Sequence, residues 1–152
     1  MEIRAVAEHD YAHVVRVVND WWGGRSMADM LPKLFFVHFQ ETSFVVEDAG
    51  EVVAFLIGFV SQTFPQEAYI HFVGVHPQYR KQKLGKRLYD LFFERVREKG
   101  CTTVRCVTAP MNHGSIAFHT QLGFQIEKVA EDYDGRGQNR VLFVKKVAET
   151  TA

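Results

Sequence analysis

The sequence predicts an α/β domain with a mixed sheet, and three observations carry that reading. The run Val52 to Val60 is apolar on both faces, as in a central strand covered from both sides. The strand Tyr69 to Val75 leads through a basic loop into a helix with one apolar stripe, a unit that packs a helix onto a sheet. The chain has 152 residues, 47% of them apolar with thirteen Phe, about one ordinary domain. Such a length buries roughly 70% of its unfolded surface, which requires neither disulfide nor metal. We therefore expect one domain over residues 1–148 and a short tail at 149–152.

The elements follow in order. Residues 2–7 alternate as a short strand. Asp10 stands as an N-cap before Val14, Val15, Val17, Val18, Trp21 and Trp22, whose spacing is helical, and Gly23-Gly24 ends that helix. A second helix opens at Ser26 and carries Leu34, Phe35, Phe36 and Phe39, with Pro32 splitting or bending it. The runs Ser43 to Glu47 and Glu51 to Ser61, joined by Asp48-Ala49-Gly50, read as a hairpin. After the Tyr69 strand and its loop, a helix bearing Leu84, Leu88, Leu91, Phe92 and Val96 stops at Gly100. The strand Thr103 to Thr108, a short helix from about Asn112 to Leu122, a strand from Phe124, a polar loop Asp132 to Arg140 and a final strand Val141 to Val147 complete the order β-α-α-β-β-β-α-β-α-β-β.

Composition excludes several classes. Lys plus Arg and Asp plus Glu total 18 each, so bulk attraction to nucleic acid or an anionic membrane is not the design. The apolar run at Val52 is about half of the roughly 20 residues a membrane-spanning helix needs, and the N-terminal residues lack a signal core. Cys101 and Cys106 lie five positions apart in an extended segment, too far to bridge, which together with the missing signal points to a cytoplasmic protein. His9 and His13 share a helix face without a third ligand in register, so no metal is assigned.

Charge is concentrated locally. Arg80, Lys81, Lys83, Lys86 and Arg87 crowd the start of the third helix, where unpaired amides and the helix dipole already favour an anion. The loop is neither a Walker A nor a Rossmann glycine motif, since Gly85 is its one glycine. A nucleic-acid patch would need stacking aromatics among the charges, and only Tyr79 and Tyr89 flank them.

Val75-His76-Pro77, the loop Arg80 to Lys86, Asn112, and then Phe118-His119 and Gly123-Phe124 occur in one order and spacing. In these features, over nearly the whole chain, the sequence resembles the GNAT superfamily of acetyl-CoA-dependent N-acetyltransferases. The resemblance implies a mostly antiparallel mixed sheet, splayed between the fourth and fifth strands and flanked by about four helices. It also implies acetyl-CoA as cofactor, a small-molecule primary amine as acceptor, and direct attack in a ternary complex. The backbone of Lys81, Gln82, Lys83, Leu84, Gly85 and Lys86, with Arg80 beside it, would hold the coenzyme pyrophosphate. Val73 and Val75 would meet the pantetheine arm as an added strand. Asn112 would meet it too, although its chemistry equally suits a helix N-cap.

Two departures stand out. Lys83 occupies the position of the first loop glycine, which predicts a right-handed backbone there, with the side chain turned from the phosphates. His119 stands where the family has a tyrosine that protonates the departing thiolate; it would contact the sulfur through an N–H or as imidazolium, or simply pack. For the base that deprotonates the amine, the resemblance points to the strand before Val75, making His71 the first candidate and Glu67 the second. It assigns acceptor contacts to Trp21, Trp22 and Arg25 and to the last loop, where Tyr133 and Asp134 lie, with Tyr69 on the same strand face as His71. Exposed aromatics in the second helix would suit a homodimer. An acyl-CoA-binding sensor without transfer chemistry is the alternative that the missing tyrosine raises.

Overall fold

The computed structural model describes residues 1–24 and 27–149. The strands are β1 (Glu2–Ala5), β2 (Phe44–Asp48), β3 (Glu51–Val60), β4 (Glu67–Val75), β5 (Thr103–Thr108), β6 (Gln125–Ala130) and β7 (Arg140–Lys146). The helices are α1 (Asp10–Trp21), α2 (Leu34–His38), α3 (Leu84–Glu98) and α4 (His113–Gln121), with single 3-10 segments at Ala28–Met30, Gln40–Thr42 and Pro77–Gln82. The sheet order is β1-β2-β3-β4-β5-β7-β6. The β1–β2, β2–β3, β5–β7 and β6–β7 pairs are antiparallel, whereas β4 pairs with β5 in parallel, over Glu67, Ala68 and Tyr69 against Thr103, Val104 and Arg105. So short a ladder is the splay that the resemblance implies.

The chain divides into two compact units, residues 1–59 with 71–95, and residues 60–70 with those from Val96 onward. In the first, β1, β2 and β3 pair antiparallel, and the hairpin register slips at Val46/Glu47. Residues Val52 to Gly58 are buried without interruption, as a strand covered on both faces must be. Val14, Val18 and Trp21 of α1 are buried at helical spacing in one cluster with Phe36, Val45, Phe55, Ile57 and Phe72. Asp10 is the first residue of α1, not its cap. Its buried carboxylate accepts from the Ala7 N–H at 2.8 Å and takes a two-pronged contact from Arg4 at 2.8 Å. Burial alone would raise the Asp10 pKa, but Arg4, the Ala7 N–H and the His9 charge bring it below the ordinary carboxylate value.

The second predicted helix is not continuous. Pro32 lacks the N–H that would extend a helix through it, and the segment breaks into the Ala28–Met30 turn and the five residues of α2. Its expected start, Ser26, lies outside the described residues.

The second unit is framed by the antiparallel β5–β7 ladder, Thr103↔Lys146 to Thr108↔Val141, with β6 paired on the far side of β7. Val104, Cys106, Phe124 and Phe143 are buried in it, and Cys101 and Cys106 are free thiols. Among the described residues no helix is long and apolar enough to cross a membrane.

Candidate active site

Strand β4 alternates without exception: Ala68, Ile70, Phe72 and Gly74 are buried, while Glu67, Tyr69, His71, Val73 and Val75 are half-exposed. Period-two geometry thus puts every candidate on this strand on one accessible face. His71 on that face is held on two sides. Its Nε2 lies 2.6 Å from the Met30 carbonyl oxygen, and its ring stacks on Phe35 at 4.5 Å with planes 14° apart. A carbonyl only accepts, so Nε2 carries a proton here, and in the neutral ring the lone pair then sits on Nδ1.

From Val75 the chain turns into the 3-10 segment Pro77–Gln82, tied down at three points. The His76 Nδ1 accepts from the Gln78 N–H, Tyr79 Oη donates to Asp48 at 2.7 Å, and Arg80 Nη2 donates to the Trp21 carbonyl at 2.6 Å. Arg80 therefore neutralises the C-terminal end of α1 with the guanidinium that charge counting gave to the phosphates. Lys86 is paired with Asp90, one turn along α3, at 2.6 Å.

Lys83 corrects an expectation. Its backbone is left-handed, φ 57° and ψ 30°, not right-handed. Coming after the right-handed turn that ends at Gln82, it makes a right-left pair whose successive N–H groups converge, the concavity that binds anions. Lys83 thus adopts the conformation for which glycine is the ordinary choice, at roughly 1–2 kcal/mol. The concave backbone, directly before α3 and near Lys81, presents the kind of donors that a pyrophosphate requires.

Of the two neighbouring tryptophans, Trp21 is buried, its ring 5.9 Å from Phe55 and edge-on to His76 at 5.7 Å. Trp22 is half-buried against Phe72, centroids 5.1 Å apart. Trp21 ends α1 inside the core, and Trp22, the residue after it, packs half-buried against that core. Arg25 lies outside the described residues.

In the second unit, Asn112 caps α4, its Oδ1 accepting the Ser115 N–H at 3.1 Å, which leaves the amide NH2 of the side chain as donor. His119 is 7% exposed, stacked on Phe143 at 4.7 Å and edge-on to Phe124 and Phe118. Its Nδ1 lies 2.7 Å from the Ser115 carbonyl oxygen, so the neutral ring carries its proton there. Burial lowers its pKa, and the Ser115 carbonyl offsets this in part. In that form Nε2 offers a lone pair, not a proton, so donation to a thiolate requires the imidazolium that burial disfavours.

Glu67 is engaged by Arg105, whose Nε lies 2.8 Å from Oε1 while its Nη1 binds both oxygens of Glu127 at 2.9 Å. The β4–β5 register brings these chains together across 38 positions, a proximity with no local sequence signal. Burial first, then Tyr133, Cys106 and Asp134, push the Tyr69 phenol pKa up, with Arg140 acting against them. Arg140 pairs with Asp134 at 2.8 Å. The loop itself is closely bonded: Asp132 accepts from Gly137 N–H, and Asn139 accepts from Asp132 N–H. Tyr133 stands 49% exposed on this built loop.

A model of the family described as "Acetyltransferase (GNAT) family" matches residues 10–124. The L-2,4-diaminobutyric acid acetyltransferase of Virgibacillus pantothenticus is 35% identical over 74 residues, 49% of this chain and 46% of that protein. The ribosomal protein bS18-alanine N-acetyltransferase of Escherichia coli K12 is 28% identical over 98 residues, 62% of this chain and 64% of its own length. The chain therefore matches about half to two thirds of these relatives. Among solved structures, yncA of Salmonella typhimurium with its cofactor acetyl-CoA superposes with TM-score 0.78 at 20% identity, covering 100% of this chain and 96% of that one. The aminoglycoside 6'-N-acetyltransferase of Enterococcus faecium gives 0.76 at 16% identity, with 100% of both chains covered. Likeness at such identity establishes the shared fold.

Proposed function

Because the chain belongs to the acetyltransferase (GNAT) family, we propose that it transfers an acetyl group from acetyl-CoA to a primary amine of a small molecule, by direct attack in a ternary complex. The observation that carries this reading is the right-left backbone turn at Gln82-Lys83, placed between the accessible face of β4 and the start of α3. Bound acetyl-CoA supplies the activated acetyl group and a thiol that can leave.

The chain's own groups divide the work. The amides of Lys81 to Lys86 bind the pyrophosphate, with Lys81 and Lys83 adding charge. The main chain of Val73 and Val75 holds the pantetheine arm, and the Val75 N–H faces the oxygen on which charge develops. His71 takes a proton from the acceptor ammonium at Nδ1. It is preferred to Glu67 because the Glu67 carboxylate is already bound by Arg105. Asn112 serves α4 through Oδ1 and has its NH2 left for the coenzyme. Trp22, Tyr69, Tyr133 and Asp134 supply the acceptor contacts, with Asp134 shared with Arg140. His119 packs α4, in keeping with its aromatic surroundings.

Thiol release from acetyl-CoA against an amine panel tests the reading. The panel should include 2,4-diaminobutyrate, a peptide with N-terminal alanine and an aminoglycoside, the acceptors named for similar proteins. Acceptor-dependent release supports transfer. Coenzyme binding without such release supports the sensor.

A further inference from the structure

The two contacts that hold His71 come from one stretch of chain, the Ala28–Met30 turn and α2. We infer that this stretch is the positioning element of the base: the Met30 carbonyl fixes the His71 tautomer, and the Phe35 ring fixes its plane. The inference rests on the reading of His71 as base.

An imidazole has two nitrogens, and a base needs its lone pair on the one that faces the acceptor. Unconstrained, the two neutral tautomers interconvert through solvent, so a fraction of molecules presents an N–H where a lone pair is needed. The Met30 oxygen removes that alternative, because it accepts only from Nε2–H, and Nδ1 has no hydrogen-bond partner among the described residues. Phe35 then holds the ring by stacking on its face. Its π-face also favours the imidazolium over the neutral ring once the proton has moved.

The proton transfer balances. An N–H bond of the acceptor ammonium breaks and a bond from Nδ1 to hydrogen forms. The amine nitrogen keeps the electron pair with which it attacks, and the positive charge passes from the ammonium to the imidazolium. The Nε2–H stays on the Met30 carbonyl, and that hydrogen bond strengthens as the ring becomes cationic. Met30 and Phe35 touch neither acetyl-CoA nor amine in this account. They act through His71.

Nitrogen-15 spectra of histidine-labelled full-length protein give the tautomer directly, without ligand. The wild type should show His71 as the single Nε2–H form. Phe35→Leu should let the ring average between tautomers and lower kcat about tenfold, with 2,4-diaminobutyrate as probe amine and KM for acetyl-CoA unchanged; Phe35→Tyr should restore both readouts. A wild-type Nδ1–H tautomer overturns the inference, even if Phe35→Leu fails to fold. So does a folded Phe35→Leu protein with unaltered tautomer and kcat. Failure of the underlying reading looks different: a folded His71→Ala variant that retains turnover removes His71 as base, whatever its tautomer.

Discussion

His119 Nδ1 lies 2.7 Å from the main-chain oxygen of Ser115, one turn earlier on the same helix, while the ring stacks on Phe143. His71 is bound in the opposite sense, through Nε2. Two histidines of one chain are thus set in opposite tautomers by two carbonyls, one within a packed aromatic cluster and one on an accessible strand face.

The His119 environment makes acid stability its readout. Its folded-state pKa lies below the ordinary value of about 6.5, so on acidification the unfolded chain takes up the proton first. Stability should therefore fall as pH drops from about 6.5 to the folded pKa, and this component should be absent above about 6.5. His119→Phe keeps the ring shape without the titration. It should flatten this part of the denaturant-midpoint profile and leave turnover within a few-fold of wild type. His119→Ala should cost about 2–4 kcal/mol through the cavity.

Asp10 behaves with the other sign. Its pKa is below the unfolded value despite burial, so the contribution of Arg4 and the Ala7 N–H is complete above about pH 4 and is lost as pH falls through the folded pKa. Asp10→Asn should lower the urea midpoint at pH 7 and narrow the gap between variant and wild type as the pH approaches 3.

Lys83 pays a left-handed penalty that glycine does not. Lys83→Gly should raise stability by up to about 1 kcal/mol and keep acetyl-CoA affinity within a few-fold, since the amides carry the site. Lys83→Val should lower both. Thermal denaturation and isothermal titration check the pair.

Gly74 faces the core of the first unit. A Cβ there would lie 2.6 Å from Phe55 Cε1 and 3.0 Å from the Trp22 ring. Gly74→Ala should destabilise by about 1–3 kcal/mol, measured by urea unfolding, and should also move Trp22 fluorescence.

Much of the scaffold was legible because its signals are local. The two-sided apolar run in β3, the alternation in β4 and the valine spacing of α1 are periodicities, and burial follows them residue by residue. The cap at Asn112 was readable because its side-chain oxygen suits a helix start. What lay beyond the sequence was settled by tertiary contact. Arg105 reaches Glu67 only through a strand register, Arg80 is claimed by a helix end 59 positions away, and His71 is oriented by a carbonyl, which no residue type announces. Lys83 was misread because propensity favours right-handed backbone for lysine, whereas the turn into α3 demands the other hand.

The central claim is direct transfer from acetyl-CoA to amine with both bound together. Initial velocities with the two substrates varied against each other test it most directly. The account predicts double-reciprocal lines that intersect; parallel lines, the signature of an acetylated enzyme, would contradict it.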